Sequence, residues 1–431
     1  MLEMRFILEH PEIVKKDLQK RGDTEKQKWV DEILLFSSKL KSLNSEIQEL
    51  RARRNAISKQ VNEEKKAGKS ASAFIKEAAS IPGIIKIKEK ELAAIEEKTL
   101  YYRMRIPNIL HESVPIGKDS SENVEIKKWG KTRKFDFKLI PHGELAEKLG
   151  IADFKTAAKV SGAGFVYVKG ELALLDLALQ KFAIEHLIKK GFELIEPPLM
   201  LGKEAYEGVT SLDDFQNVMY KIDGEDMYMI ATSEHPIIAM HKDGIIDEKE
   251  LPLKYVGVSP CFRKEIGSHG VDTRGFFRMH QFNKVEQVVF CKPEDSWKLH
   301  EEIQRNTEEM IEALELPYNV VNICTGDIGI VAAKKYDIEV WFPREEKYAE
   351  VTSCSNCTSY QAVRSNIKFK KADGTKEYVH TLNNTGLATS RIMRAIFENY
   401  QNSNGSVTIP KVLVPYMNAI TKISQKKINE H

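Results

Sequence analysis

Cysteine is scarce and odd in number: Cys261, Cys291, Cys324, Cys354 and Cys357 are the five thiols of a 431-residue chain. Such a set excludes a disulfide-stapled framework and suits a reducing compartment. Cys354-Ser-Asn-Cys357 has C-x-x-C spacing, but no second such pair or nearby His pair completes a zinc site, so no structural zinc is expected. Net charge is almost absent. The 65 Lys and Arg set against 63 Asp and Glu leave +2, so any basic surface must be local. No apolar run approaches membrane-spanning length, and Met1-Leu2-Glu3-Met4 lacks the basic-then-apolar order of a secretory signal. A cytoplasmic protein without membrane association is the expectation.

What is present is material for a core: 42% hydrophobic residues beside 30% charged ones, in a chain long enough for two domains. The first part is a heptad pattern. Ile33, Phe36, Leu40, Leu43, Ile47, Leu50, Ile57 and Val61 follow steps of three and four, with Arg54 in the missing slot. Gly68-Lys69-Ser70 supplies a turn, and a second seam runs through Phe74, Ala78, Ile81, Ile85, Leu92, Ile95 and Tyr102. Each helix alone would expose its stripe, so the two predict an antiparallel coiled-coil hairpin with limbs of roughly 50 Å. Pro82-Gly83 predicts a kink or restart in the returning limb. Arg51, Arg53, Arg54, Lys59, Lys65, Lys66, Lys69 and Lys76 give the arm a basic tip and flanks. A solvated face is the bland reading; a rod laid along a nucleic-acid backbone is the sharper one.

Ile106-Pro107-Asn108 ends the coil, and 111–150 reads as irregular, marking the domain boundary. A helical pattern from Gly170 is stopped by Gly191; a short strand, 192–195, then runs into Pro197-Pro198. A hairpin over 218–230, turning at Asp223-Gly224, delivers Thr232-Ser233-Glu234. Those hydroxyls and that carboxylate either bind a small polar ligand or cap a helix.

The stretch 256–290 carries the most chemistry. Two strand-like runs flank a loop holding Arg263, Glu265, His269, Arg274, Arg278 and His280. Period-two alternation puts Phe282, Lys284 and Glu286 on one sheet face, an aromatic plate with a base and an acid, which suits the floor of a polar pocket. Arg263 and Glu265 also share a face if the strand continues, and Arg263 with Arg278 can converge on one anion. Further on, Trp297, Leu299, Ile303, Met310 and Ile311 outline an amphipathic helix, and a strand-like run covers 338–342. Glu350 and Ser353 are oxygen donors suited to magnesium on a triphosphate. Gly386 allows close backbone approach to a ligand, and Arg391 sits early in a last apolar helix.

The Phe-Arg-x-Glu opening of 262–265, with its basic loop and Phe282 strand, resembles motif 2 of the class II aminoacyl-tRNA synthetases. The helix, strand and proline of 170–198 are similar to motif 1, and 380–397 to motif 3. Thr232-Ser233-Glu234, Glu350-Val-Thr-Ser353-Cys-Ser-Asn and Asn383-Asn-Thr385-Gly, behind a coiled-coil hairpin, narrow the resemblance to the zinc-independent seryl-tRNA synthetases. One block departs: the family's Asp-Phe-Gln-Ala-Arg-Arg is here Ser359-Tyr-Gln-Ala-Val-Arg364.

The resemblance implies an α+β fold: an antiparallel sheet of six or seven strands flanked by helices, in a homodimer. Residues 1–110 would be the tRNA-binding arm and 111–431 the catalytic domain. The implied activity is serine–tRNA ligase: L-serine and ATP give seryl-adenylate, and serine passes to the 3′ end of tRNA(Ser), with tRNA(Sec) as a further acceptor. Arg263 would bridge the α-phosphate and the serine carboxylate. Glu265 would take the adenine amino group, between Phe282 stacked below the ring and Arg391 above it, and Arg278 would reach the γ-phosphate. Lys264, Met279, Val351 and Thr352 complete the implied ATP site. Thr232, Ser233, Glu234, Glu286, Asn383 and Thr385 would form the serine site, and Glu350 with Ser353 would hold Mg2+. A hydroxyl-binding pocket rejects alanine through unpaired polar groups, while threonine must be excluded by bulk. Two rivals are another class II synthetase, which would usually add a C-terminal anticodon-binding domain, and a non-catalytic synthetase-like nucleic-acid adaptor.

Overall fold

The structure is a computed structural model that describes residues 1–211, 218–265 and 275–425. His269 and Arg274 of the basic loop lie outside the described residues. The chain divides into two compact units, Met1–Pro107 and Asn108–His431.

In the first unit, two short helices, Met4–Glu9 and Pro11–Lys20, precede the long helices Thr24–Lys66 and Ser72–Arg105. The Asp23 carboxylate caps the outgoing helix by accepting from the Lys26 amide at 3.2 Å. At the tip, Gly68 takes φ +64°. Its amide donates to the Lys65 carbonyl and the Lys69 amide to that of Glu64, a Schellman termination that glycine alone enters without strain. The seam residues Ile33, Leu43, Ile47 and Ile57 are buried, as are Ile81, Ile85, Ile95 and Tyr102 on the returning helix. Ion pairs fix the antiparallel register: Glu32 with Lys98, Lys39 with Glu91, Arg53 with Glu77.

The interruption expected at Pro82-Gly83 is absent. The returning helix runs through Pro82 without a break. Both residues are exposed, while Ile81 and Ile85 on either side are buried in the seam. Packing of that seam holds the helix across the one hydrogen bond that proline removes. Arg54 is likewise exposed, so the seam skips that slot and resumes at Ile57.

The second unit is organised by an eight-stranded sheet: β1 (Val124–Trp129), β2 (Glu193–Ile195), β3 (Leu253–Phe262), β4 (Gln281–Cys291), β5 (Tyr318–Asn322), β6 (Lys334–Phe342), β7 (Lys347–Asn356) and β8 (His380–Ala388). Their order is β1-β5-β6-β7-β8-β4-β3-β2. All neighbours are antiparallel except β2, which lies parallel to β3 at one edge. The expected six or seven strands are exceeded because 111–150 is not irregular: it supplies β1 and the helix His142–Lys148. Strand β1 is exposed along most of its length, so it carries little of the apolar pattern that marks a strand in sequence.

Helix Gly170–Lys189 ends before Gly191, at φ +86°. The 218–230 hairpin is realised only in part. Gly224 makes the turn at φ +77° and Lys221 bridges to Tyr228, but Met227–Met229 takes Met200–Gly202 as its ladder partner. Helix Ser296–Ala313 covers the back of β8 and β4, where Asn384 and Gln287 donate to the Ile303 carbonyl. Helix Thr389–Asn399 follows β8 directly. The opposite face of the central strands is left open as a cavity.

Candidate active site

That cavity, of about 550 Å³, is floored by β4, β7 and β8. Phe282, Lys284 and Glu286 all line it, as period-two alternation requires. On the alternate phase, Val285 enters the core and Asn283 and Gln287 turn to the back, toward Asp176 and Thr307. Glu286 is buried; Lys284 Nζ lies 2.6 Å from its Oε2, and the Thr385 hydroxyl donates to the same oxygen at 3.1 Å. An ionised carboxylate in this setting is paired and hydrogen-bonded.

Strand β3 ends at Phe262, so Arg263 and Glu265 do not share a strand face as expected. Glu265 instead has left-handed backbone, φ +44°. Both nevertheless line the cavity. The Arg263 guanidinium sits 5.3 Å from the centre of the Phe282 ring, and its Nε donates to the Ala231 carbonyl. Arg278 stands outside the lining, 59% exposed, 3.9 Å from Glu265. Lys264 is also outside it, with its Nζ over the Tyr220 ring.

Glu350 and Ser353 stand three residues apart on β7, a spacing that on a regular strand points to opposite faces. A bulge brings them together. Thr352 pairs with Ile338 and Glu350 with Glu339, leaving Val351 as the extra residue. Glu350, Val351, Thr352 and Ser353 all line the cavity. Arg391 Nη1 lies 3.1 Å from Glu350 Oε1 and 3.0 Å from its carbonyl oxygen. Burial would raise the Glu350 carboxyl, but the charges of Arg391, Lys335 and Arg263 hold it below the usual carboxylate range.

A second bulge falls at Gly386, between the pairs Thr385–Glu286 and Leu387–Val285. It sends Leu387 into the core and Ala388 to the cavity beside Asn383 and Thr385. Gly386 is not among the residues lining the cavity, and a Cβ there would stand 3.1 Å from the Val285 carbonyl and 3.4 Å from Leu187, on the core side.

In 232–234 both readings hold, divided among the residues. Ser233 is the N-cap position of helix Glu234–Ala239, yet the Thr232 hydroxyl, not that of Ser233, accepts from the Glu234 amide at 3.2 Å. Thr232 and Glu234 line the cavity. Ser233 does not: it is buried beneath the sheet, 2.6 Å from where a Cβ on Gly257 would stand. Burial and the nearby Glu286 charge push the Glu234 carboxyl up to about 7, against a 2.8 Å hydrogen bond from Gln361 Nε2. The altered Ser359–Arg364 block keeps its working members. Gln361 also accepts from Thr381, and Arg364 donates to the carbonyls of Glu207 and Thr210. Cys354 and Cys357 diverge. Cys354 Sγ faces the His300 carbonyl behind the sheet, whereas Cys357 lines the cavity, where the Asn383 amide meets its sulfur at 3.6 Å.

Sequence reasoning missed Gln361 and Lys335 as lining residues. Lys335 alternates with Asp337 on β6, 3.3 Å apart, opposite Ser355 and Ser353. The period-two alternation Lys335-x-Asp337-x-Glu339 was the available signal, hidden because the strand begins four residues before the apolar run.

Residues 218–400 match the family model of the tRNA synthetase class II core domain (G, H, P, S and T), and residues 1–110 match the seryl-tRNA synthetase N-terminal domain. The serine–tRNA ligase of Methanocella arvoryzae is 58% identical over 422 residues, covering 97% of this chain and 99% of that protein. The seryl-tRNA synthetase of Pyrococcus horikoshii, solved with ATP, superposes with a TM-score of 0.92 at 48% identity, over 99% of this chain and 100% of that one. The cytoplasmic serine–tRNA ligase of Naegleria fowleri, solved with AMP, gives 0.87 at 34% identity over 99% of each chain. With arm, class II sheet and cavity all accounted for along nearly the whole length, the chain belongs to the seryl-tRNA synthetases, the serine–tRNA ligases of class II.

Proposed function

We propose that the cavity binds ATP and L-serine side by side and aligns them for adenylate formation. The observation that carries this is the convergence of Arg263, Glu286, Glu350 and Arg391 on one wall system. Arg263 lies between the two halves: a guanidinium there can fork a carboxylate oxygen and an α-phosphate oxygen, drawing two anions together. Glu286, Glu234, Thr232, Asn383 and Thr385 form the serine side, with two carboxylates for the ammonium and hydroxyl. Phe282, Met279, Glu265 and Arg391 form the adenine side, and exposed Arg278 reaches in for the terminal phosphate. The serine carboxylate oxygen attacks the α-phosphorus and the bond to pyrophosphate breaks. No protein nucleophile is needed, because alignment and charge screening do the work.

Glu350 and Ser353 fit magnesium. They are hard oxygen donors placed on one face by the Val351 bulge, and two protein ligands plus phosphates is the ordinary magnesium arrangement. When bound there, the ion neutralises charge on the triphosphate.

The arm is proposed to grip tRNA(Ser) by backbone and shape, with tRNA(Sec) as a second acceptor. Among the described residues, Arg54, Lys59, Lys65, Lys66, Lys69 and Lys76 have no ion-pair partner, which leaves them for phosphates. Homodimerisation through the motif 1 elements is supported by apolar surface: Leu177 is 61% exposed, Ile188 on the same helix and Leu194 on the edge strand are exposed, and so are Leu199 and Met200 after that strand. Work in the cytoplasm completes the reading. The deciding experiment is ATP–pyrophosphate exchange across the twenty amino acids. Serine alone should support it; exchange supported best by threonine, proline or glycine overturns the serine site.

A further inference from the structure

Behind the adenine side of the cavity lies a second, smaller one of about 120 Å³, lined by Asp176, Asn283, Thr389 and Ser390 together with Phe282 and Met279. Asp176 comes from helix Gly170–Lys189, whose next residue, Leu177, is among the exposed apolar ones. Three side-chain donors converge on its carboxylate. Asn283 Nδ2 donates to Oδ2 at 2.7 Å, Gln180 Nε2 donates to the same oxygen at 2.8 Å, and the Thr389 hydroxyl donates to Oδ1. One partly buried acid therefore ties together a helix, a strand of the cavity floor and the start of the helix after β8.

The partners' places in the chain give this junction its meaning. Asn283 immediately follows Phe282, and Thr389 stands two residues before Arg391. Phe282 and Arg391 are the two plates assigned above to the adenine ring. We propose that Asp176 is a positioning residue for nucleotide binding, setting the separation of Phe282 and Arg391 without touching substrate. This rests on the ATP-site reading of the main cavity. Burial raises the Asp176 carboxyl while its three donors oppose that rise. Without that convergence, β4 and the helix start can shift independently. The consequence falls on ATP, because the serine side is held separately by Glu286, Lys284 and Thr385.

The Thr389 hydroxyl also lies 3.1 Å from the Asn283 carbonyl oxygen, so it has a second acceptor. An asparagine at 176 can then offer its amide to the Thr389 oxygen and its carbonyl to Asn283 and Gln180. The test is steady-state exchange kinetics on full-length wild type, Asp176→Ala, Asp176→Asn and Phe282→Ala, with thermal melting of each. Misplacing one plate by a fraction of an ångström should raise KM for ATP about ten- to hundredfold in Asp176→Ala, with KM for serine within about twofold. Asp176→Asn should recover most of the loss, to within about threefold of wild type. Equal rises for serine and ATP, or no rescue by asparagine at an unchanged melting temperature, overturn the positioning role. An unchanged KM for ATP in Asp176→Ala beside a raised one in Phe282→Ala also overturns it and leaves the ATP site standing. If Phe282→Ala itself leaves ATP unaffected, the ATP-site reading fails and the inference falls with it.

Discussion

Thr385 and Glu286 sit directly opposite each other on adjacent antiparallel strands, and the Thr385 hydroxyl donates across the 3.1 Å gap to Glu286 Oε2. A short, branched hydroxyl thus aims a carboxylate that Lys284 also holds. Glu286→Ala should therefore raise KM for serine at least about tenfold while leaving that for ATP nearly unchanged. Thr385→Val keeps the shape and removes the donor, so discrimination of serine over alanine should fall. Exchange kinetics with serine varied, then ATP varied, check both; equal losses for the two substrates move Glu286 out of the serine site.

Arg263→Ala should lower exchange by about a hundredfold or more, with fold and dimer intact. Lysine should rescue poorly, since a point charge replaces a planar fork. Near-normal adenylation in the alanine variant contradicts the assignment.

Glu234 sets a pH dependence. With its carboxyl pushed up to about 7, the ionised fraction rises as pH passes through that value. Serine carries its ammonium there, so KM for serine should fall from pH 6 to pH 8 and Glu234→Gln should flatten the profile. For the empty fold the sign reverses. The raised pKa contributes stability that is fully present below the ordinary glutamate value of 4.5 and is lost as pH climbs through about 7. A KM profile unchanged by Glu234→Gln removes the residue from serine binding.

If the arm grips tRNA as proposed, it should separate the two half-reactions. Deleting residues 40–95 and closing the stub with a short turn should spare serine-dependent exchange and abolish tRNA charging. For charge neutralisation, Arg51 and Arg53 are poor choices because each pairs with a glutamate of the returning helix. Changing Arg54, Lys59, Lys65 and Lys69 to Gln should weaken tRNA binding and flatten its salt dependence. The logarithmic slope should fall by roughly 0.7–0.9 for each phosphate that is no longer neutralised. Charging by the arm-deleted protein at the full-length rate would mean that the arm serves another partner.

Much of this was legible in the sequence, and the reasons differ by element. The coil was legible because seven-residue spacing has one structural meaning; its turn followed from Gly68. The β4 face was legible because Phe282, Lys284 and Glu286 obey strict alternation. Illegible features depended on partners distant in sequence. Ser233 is short, polar and beside two lining residues, yet Gly257 leaves room for it under the sheet. Pro82 breaks helices in isolation but not where flanking isoleucines are held by a second helix. Strand β1 carries little apolar signal because it is an exposed edge.

The extra residue at Val351 has a consequence for how this wall tolerates change. Everything after it on β7 is out of phase with what comes before, so Ser353, Ser355 and Cys357 face the cavity only because the count from Glu350 is odd where a plain strand would need it even. Substitution at 351 alters one side chain; removal of 351 would join Glu350 to Thr352 as a plain strand on which Ser353, now two residues from Glu350, still faces the cavity. The bulge thus sets the local bend of the wall rather than which of the later side chains it presents. A variant lacking Val351 should therefore fold with Glu350, Ser353 and Ser355 still on the cavity wall, and any loss of exchange activity should reflect the lost bend and twist beside Glu350.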